Sequence, residues 1–155
     1  MGERTLVIRA ARPDEGELLR EIAIAAKSHW GYNAEWVREW AARGDFSPQA
    51  LRDLDVFVAE HDGRVVGWAA AMFAGDIWWL DDLWVVPEAM LVGIGTRLFQ
   101  HAAALGRGRG ATRMEWEAEP NALGFYEKMG AGHVRDNAPN EWGRVIAVMA
   151  VDLAR

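Results

Sequence analysis

An apolar stretch, Asp82-Leu83-Trp84-Val85-Val86-Pro87, runs within a few residues into Gly93-Ile94-Gly95, and this junction limits the fold more than any other part of the chain. The first part has the length and character of a strand, and the glycines open the helix that follows. A helix that starts this way turns its first unbonded amides forward, where they suit an anion. The charge pattern agrees: from Ala89 to Met114 the chain carries Arg97, Arg107, Arg109 and Arg113 and no Asp or Glu, although the formal net charge of the whole sequence is -6. One compact polyanion such as a phosphate group is the expected guest, and an acidic chain of this kind is not expected to take nucleic acid or an anionic membrane as a partner.

A length of 155 residues fits one domain, expected over 1-155. There are no cysteines, so disulfides, thiolate metal sites and a cysteine nucleophile are excluded, and a reducing, cytoplasmic setting is the expectation. No segment approaches the ~20 apolar residues of a membrane span, and none has the make-up of a secretory leader. His29, His61, His101 and His133 stand apart without metal-ligand spacing, so no metal is expected. Ser28 and Ser47 lack the surroundings of a nucleophile elbow.

Along the chain, Thr5 to Ile8 reads as a first strand, and Pro13-Asp14 opens a helix whose Leu18, Leu19, Ile22 and Ala26 fall at helical spacing; that helix ends near His29-Trp30-Gly31. Asn33 is placed to cap a second helix bearing Trp36, Val37 and Trp40 on one stripe, and Ser47-Pro48 starts a short third. Strands follow at Asp55 to Glu60 and Val65 to Phe73, joined at Asp62-Gly63, then at Ile77 to Val86. Gly95 to Leu105 reads as a helix ended by Gly106 to Gly110. Thr112 to Ala118 reads as a strand with Met114, Trp116 and Ala118 on one face and Arg113, Glu115 and Glu117 on the other. Pro120-Asn121 begins a helix through Tyr126, closed by Gly130 as a left-handed cap; Val134 and the Val145 to Val151 run supply the last strands. This order indicates an α/β chain with helices on both faces of a central sheet.

Two phosphate-binding fingerprints do not fit. Gly95 is followed by Thr96-Arg97, not by Lys-Ser or Lys-Thr, and Leu98 stands where a dinucleotide loop needs a small residue. What the chain does resemble, over nearly its whole length, is the GCN5-related N-acetyltransferase (GNAT) superfamily. The marks are Leu83-x-Val85-x-Pro87, then Gly93-Ile94-Gly95 with Leu98 on the next helix, and Glu119-Pro120-Asn121-Ala122 running to Phe125-Tyr126-Glu127-Lys128-Met129-Gly130. The resemblance implies a mixed, mostly antiparallel sheet splayed at its middle, acetyl-CoA as co-substrate, and transfer of its acetyl group to a primary amine by direct attack in a ternary complex. A small-molecule amine is the expected acceptor, and a homodimer is compatible with the sequence.

By the same resemblance the cofactor is held by Val85, Val86, Leu91, Val92, Gly93, Ile94, Gly95, Thr96, Asn121 and Lys128. A strand edge bonds the peptide-like pantetheine arm, and the helix start takes the pyrophosphate. Tyr126 protonates the leaving sulfur. Asp82 is the preferred base, with Asp81 on the opposite strand face and Glu117 or Glu119 as rivals. The backbone N–H of Val85 or Val86 meets the developing oxyanion. Trp30 and Tyr32 line the acceptor side, where an aromatic wall suits an apolar amine or holds a cation over a ring face. One departure stands out: the family usually has basic or polar residues around a glycine where this chain has Met90-Leu91-Val92. A positive φ at Leu91 would cost roughly 1 to 2 kcal/mol. That departure motivates a second expectation, a non-catalytic acyl-CoA-binding or sensor domain.

Overall fold

A computed structural model describes residues 5–90, 92–140 and 142–154. The strands are β1 (Leu6–Ala10), β2 (Asp55–His61), β3 (Arg64–Ala74), β4 (Ile77–Val85), β5 (Arg113–Glu117), β6 (Gly132–Asp136) and β7 (Ala147–Asp152). The helices are α1 (Gly16–Ser28), α2 (Ala34–Ala42), α3 (Pro48–Asp53), α4 (Ile94–Gly108) and α5 (Leu123–Lys128). Strand order is β1-β2-β3-β4-β5-β7-β6 in one open sheet of seven strands. The β1–β2, β2–β3, β5–β7 and β6–β7 pairs are antiparallel, and β4–β5 is parallel through Trp78–Met114 and Trp79–Glu115. The expected mixed, mostly antiparallel α/β class is what the chain adopts.

The chain gathers into two compact units, Met1–Ala71 with Asp82–His101, and Met72–Asp81 with Ala102–Arg155. In the first, the β2–β3 turn is made by Asp62 (φ 53) and Gly63 (φ 82), the two consecutive left-handed residues that a tight hairpin demands. Asn33 and Ser47 cap their helices as their types suggest: Asn33 Oδ1 accepts from the Trp36 N–H at 3.1 Å, and Ser47 Oγ accepts from the Ala50 N–H at 3.2 Å. Leu19, Ile22, Ala23 and Ala26 form the buried stripe of α1; Leu18 turns out to solvent, because the stripe is centred one residue later than the apolar spacing indicates. The Trp68 indole donates to the Leu19 carbonyl at 2.8 Å, so its one polar atom is satisfied inside the core. Leu19, Val37, Val58 and Leu98 are wholly buried, each contributing roughly 1.5 to 3 kcal/mol of transfer free energy.

In the second unit, Met114, Trp116 and Ala118 are buried on one face as the alternation implies. Glu115 is buried on the other, tied to Arg113 at 2.7 Å and Arg135 at 3.1 Å. Burial pushes its carboxyl up, and the two guanidinium groups outweigh that, so it titrates below the ordinary glutamate range. Gly130 (φ 89) is the left-handed cap after α5. Of the adjacent Trp78 and Trp79, which strand alternation sends to opposite faces, Trp78 is the wholly buried one.

Candidate functional site

β4 carries Asp81 and Asp82 on opposite faces. Asp81 is exposed, whereas Asp82 is half-buried and accepts a 2.9 Å hydrogen bond from the indole N–H of Trp84, its neighbour two residues on and therefore on the same strand face. At the end of β4 the Val86 N–H donates to the Val66 carbonyl at 2.9 Å. That corrects one expectation: the Val86 amide is committed to β3 and does not serve as an oxyanion donor. Successive strand amides point to opposite sides, so the Val85 N–H faces away from β3. Gly67 makes this close approach of β3 possible, since a Cβ there would lie 2.9 Å from the Trp84 carbonyl oxygen and 3.1 Å from Leu98 Cδ1.

After a tight turn at Pro87–Ala89 the chain is extended at Met90. The conformation expected at Leu91 lies outside the described residues. Val92 is 67 % exposed, so it does not pack the start of α4. Gly93 has φ 85, and a Cβ on it would meet nothing within 4 Å, which leaves its backbone open to close approach. The buried Ile94 and Leu98 seat α4, and the Arg97 N–H bonds the Gly93 carbonyl at 3.1 Å. The amides of Ile94, Gly95 and Thr96 precede that bond and stand outside the helical ladder. Thr96 is half-buried and Arg97 exposed.

Of the arginines expected to form one cationic cluster, only Arg97 belongs to this helix start. Arg107 donates to the Leu153 carbonyl at 3.0 Å, Arg109 stacks 5.4 Å over the Trp78 ring, and Arg113 pairs with Glu115. The helix ends inside the expected Gly106 to Gly110 stretch, at Gly108. Gly106 itself has a packing role. It lies within α4, and a Cβ there would sit 2.4 Å from the Trp78 ring, whose indole donates to the Ala102 carbonyl at 2.9 Å. Packing against Trp78 therefore requires this glycine, and the helix continues through it.

In the second unit Tyr126 is 6 % exposed, with its ring 5.0 Å from Trp116 and 5.1 Å from Phe125. Asn121 does not cap α5. Its amide donates to Glu119 Oε1 at 2.8 Å, and the same carboxylate accepts from the Asn121 N–H, so Glu119 is the cap of the preceding turn. Glu117 accepts from the Asn137 amide at 2.9 Å, and Lys128 is exposed in the last turn of α5.

The aromatic residues near the end of α1 surround a group that the sequence reading missed. Lys27 is only 7 % exposed, and its Nζ lies 4.9 Å from the Tyr32 ring centre, 5.2 Å from Trp36, 4.7 Å from Trp40 and 5.6 Å from Trp84. The cation over Tyr32 is thus the chain's own. The signal for it was positional: Lys27 follows Ala23 by four residues on the buried stripe, facing the Trp36 and Trp40 stripe of α2. Trp30 is exposed and packs edge-on against His29 at 4.8 Å.

Among the described residues no group of three or more His, Cys, Asp or Glu side chains is arranged to hold a metal ion, and no helix is long and apolar enough to cross a membrane. Residues 17–131 match the acetyltransferase (GNAT) family. A GCN5-related N-acetyltransferase described as an aminotransferase, class-II, from Rhodopseudomonas palustris superposes with TM-score 0.81 at 25% identity, covering 98% of both chains. The PaiA N-acetyltransferase of Thermoplasma acidophilum, solved with coenzyme A, gives 0.77 at 18% identity over 96% of this chain and 99% of its own. A Salmonella typhimurium protein solved with its cofactor acetyl-CoA gives 0.70 at 19% identity over 97% of this chain and 95% of its own. No curated protein sequence matches.

Proposed function

The chain belongs to the acetyltransferase (GNAT) family, and from that premise we propose that it is an N-acetyltransferase carrying an acetyl group from acetyl-CoA to a primary amine of a small molecule. The observation that carries the proposal is the start of α4, where the open Gly93 (φ 85) precedes amides outside the helical ladder. Relatives of the same fold have been solved with coenzyme A and with acetyl-CoA, and this loop suits the same diphosphate. Backbone donors at Ile94, Gly95 and Thr96, the Thr96 hydroxyl and the Arg97 charge would hold it. Acetyl-CoA, when bound, supplies an activated thioester carbonyl.

The chain's own residues then have separable tasks. A lysine-like amine has a pKa near about 10.4, so it must lose a proton before it can attack, and Asp82 is the carboxylate assigned to take it. The Val85 N–H is the backbone donor assigned to the carbonyl oxygen as charge develops there. Tyr126 is assigned to protonate the departing sulfur, an assignment that rests on its place in the Asn121 to Gly130 motif. Tyr32 and Trp30 are assigned to the acceptor side, Val92 and Lys128 to the edge of the coenzyme. The exposed, apolar Val92 in the loop favours one second reading, a coenzyme-binding domain without turnover.

One experiment tests both. Thiol release from acetyl-CoA is followed with a broad panel of small amines, for the native chain and for Tyr126→Phe, alongside calorimetry with CoA. Transfer is expected with at least one amine, with kcat reduced on the order of 100-fold in Tyr126→Phe and CoA affinity unchanged. Tight CoA binding without thiol release from any amine would favour the non-catalytic domain, and undiminished turnover in Tyr126→Phe would remove that hydroxyl from the chemistry.

A further inference from the structure

Gly67 of β3 lies against both the end of β4 and the buried Leu98 of α4. A Cβ added to it would sit 2.9 Å from the Trp84 carbonyl oxygen, 3.1 Å from Leu98 Cδ1 and 3.3 Å from Val85 Cγ2. The last two are ends of side chains, which can turn aside by a few tenths of an ångström. The first is backbone, and ordinary contact with it begins at about 3.4 Å, so one of the two strands would have to yield. β3 is the less able to do so. Val66 is buried and its carbonyl accepts from the Val86 N–H at 2.9 Å, Trp68 is buried with its indole on the Leu19 carbonyl at 2.8 Å, and Gly67 itself is paired with Ala59 of β2. Held on both sides of Gly67, β3 passes the displacement to the peptide that joins Trp84 to Val85.

That peptide carries a group with a task. Its C=O belongs to Trp84 and its N–H to Val85, the amide assigned above to the developing oxyanion. A peptide unit is planar and trans, so the two groups point in opposite directions and cannot move independently. Widening a 2.9 Å approach to 3.4 Å shifts the carbonyl by about 0.5 Å and carries the N–H with it. A donor serves an oxyanion only between about 2.7 and 3.1 Å, so a displacement of that size takes the N–H out of range.

We propose that Gly67 is a positioning residue: having no side chain, it lets the Trp84 carbonyl come up against β3 and so keeps the Val85 N–H aimed at the thioester carbonyl. The inference rests on the reading of the Val85 N–H as the oxyanion donor. It gives Gly67 no contact with coenzyme or acceptor, and it leaves the start of α4, where the diphosphate is held, in place.

The test compares the Val85 amide resonance of the full, nitrogen-15-labelled chain in complexes saturated with CoA and with acetyl-CoA. The difference between the two complexes reports the acetyl carbonyl, and because it is taken within each variant the direct effect of an added methyl cancels. The native Val85 amide proton is expected to differ between them. In Gly67→Ala that difference is expected to fall at least about 3-fold, with CoA affinity in calorimetry within about 2-fold of native. With any amine that the native chain acetylates, kcat is expected to fall on the order of 10-fold while KM for acetyl-CoA holds. Gly67→Ala/Leu98→Val, compared with Leu98→Val alone, takes away the helix contact and keeps the carbonyl one; it is expected to show the same loss, and it serves if Gly67→Ala fails to fold. A native-sized difference in Gly67→Ala overturns the proposal, and so does its return in the double variant, because the glycine would then act through α4. Failure of both variants to fold under saturating CoA also overturns it, since Gly67 would then serve packing alone. A native chain whose Val85 amide does not distinguish the two complexes marks a different failure, that of the oxyanion reading, and takes the proposal with it.

Discussion

The two ends of α4 use the same residue types for opposite purposes. At its start, Gly93 has φ 85 and nothing within 4 Å of where a Cβ would be, and Arg97 extends to solvent. Near its end, Gly106 has a ring 2.4 Å from the same imaginary atom, and Arg107 and Arg109 are engaged with the Leu153 carbonyl and the Trp78 ring. One end is open and fit to receive something; the other is closed and fit to pack. A glycine or an arginine in a sequence does not announce which of these it is.

Substitutions at the two ends should separate accordingly. The largest effect is expected at Gly106→Ala, where the added methyl must displace a wholly buried tryptophan. Stability should fall by about 3 kcal/mol in urea unfolding, with CoA affinity of the folded protein unchanged. Gly93→Ala forces an L side chain into the left-handed region and intrudes on the open face. CoA affinity is expected to fall about 10-fold in calorimetry, with a loss of stability of only about 1 kcal/mol. If the two variants gave the same pattern, the contrast between the ends would be lost.

A third measurement sharpens the contrast on the closed side. Glu115 titrates below the ordinary range because Arg113 and Arg135 outweigh its burial, so the stability it contributes is present above the unfolded-state value of about 4.3 and is lost as pH falls through the lower folded value. Glu115→Gln should therefore cost on the order of 1 kcal/mol at neutral pH, and the gap from the native chain should close in acid. A gap that is constant with pH would mean that the ion pairs contribute nothing. The smallest effect is expected from the arginines: Arg97→Ala should weaken CoA binding about 3-fold, less so at high salt, whereas Arg109→Ala should leave it unchanged.

Most of the fold was legible because its signals are local. Asp62-Gly63 requires a hairpin, Asn33 and Ser47 cap helices, and the alternation of Met114, Trp116 and Ala118 fixes the buried face of β5. The strand, glycine loop and helix of the site were legible for the same reason. What the sequence hid depends on partners distant in the chain. Gly106 gives no sign of the Trp78 ring that packs against it, and the Val86 amide looks available until Val66 is found accepting from it. Lys27 looks like an ordinary surface lysine, and only the convergence of α1, α2 and β4 reveals what surrounds it.

The central claim is that backbone amides at the start of α4 grip the diphosphate of the coenzyme. Amide hydrogen exchange of the native chain, with and without saturating CoA, addresses it directly. Marked slowing at Gly93, Ile94, Gly95 and Thr96, with little change at Gly106 to Arg109, is the predicted result. Unaltered exchange at the four leading amides under saturating coenzyme would contradict the account.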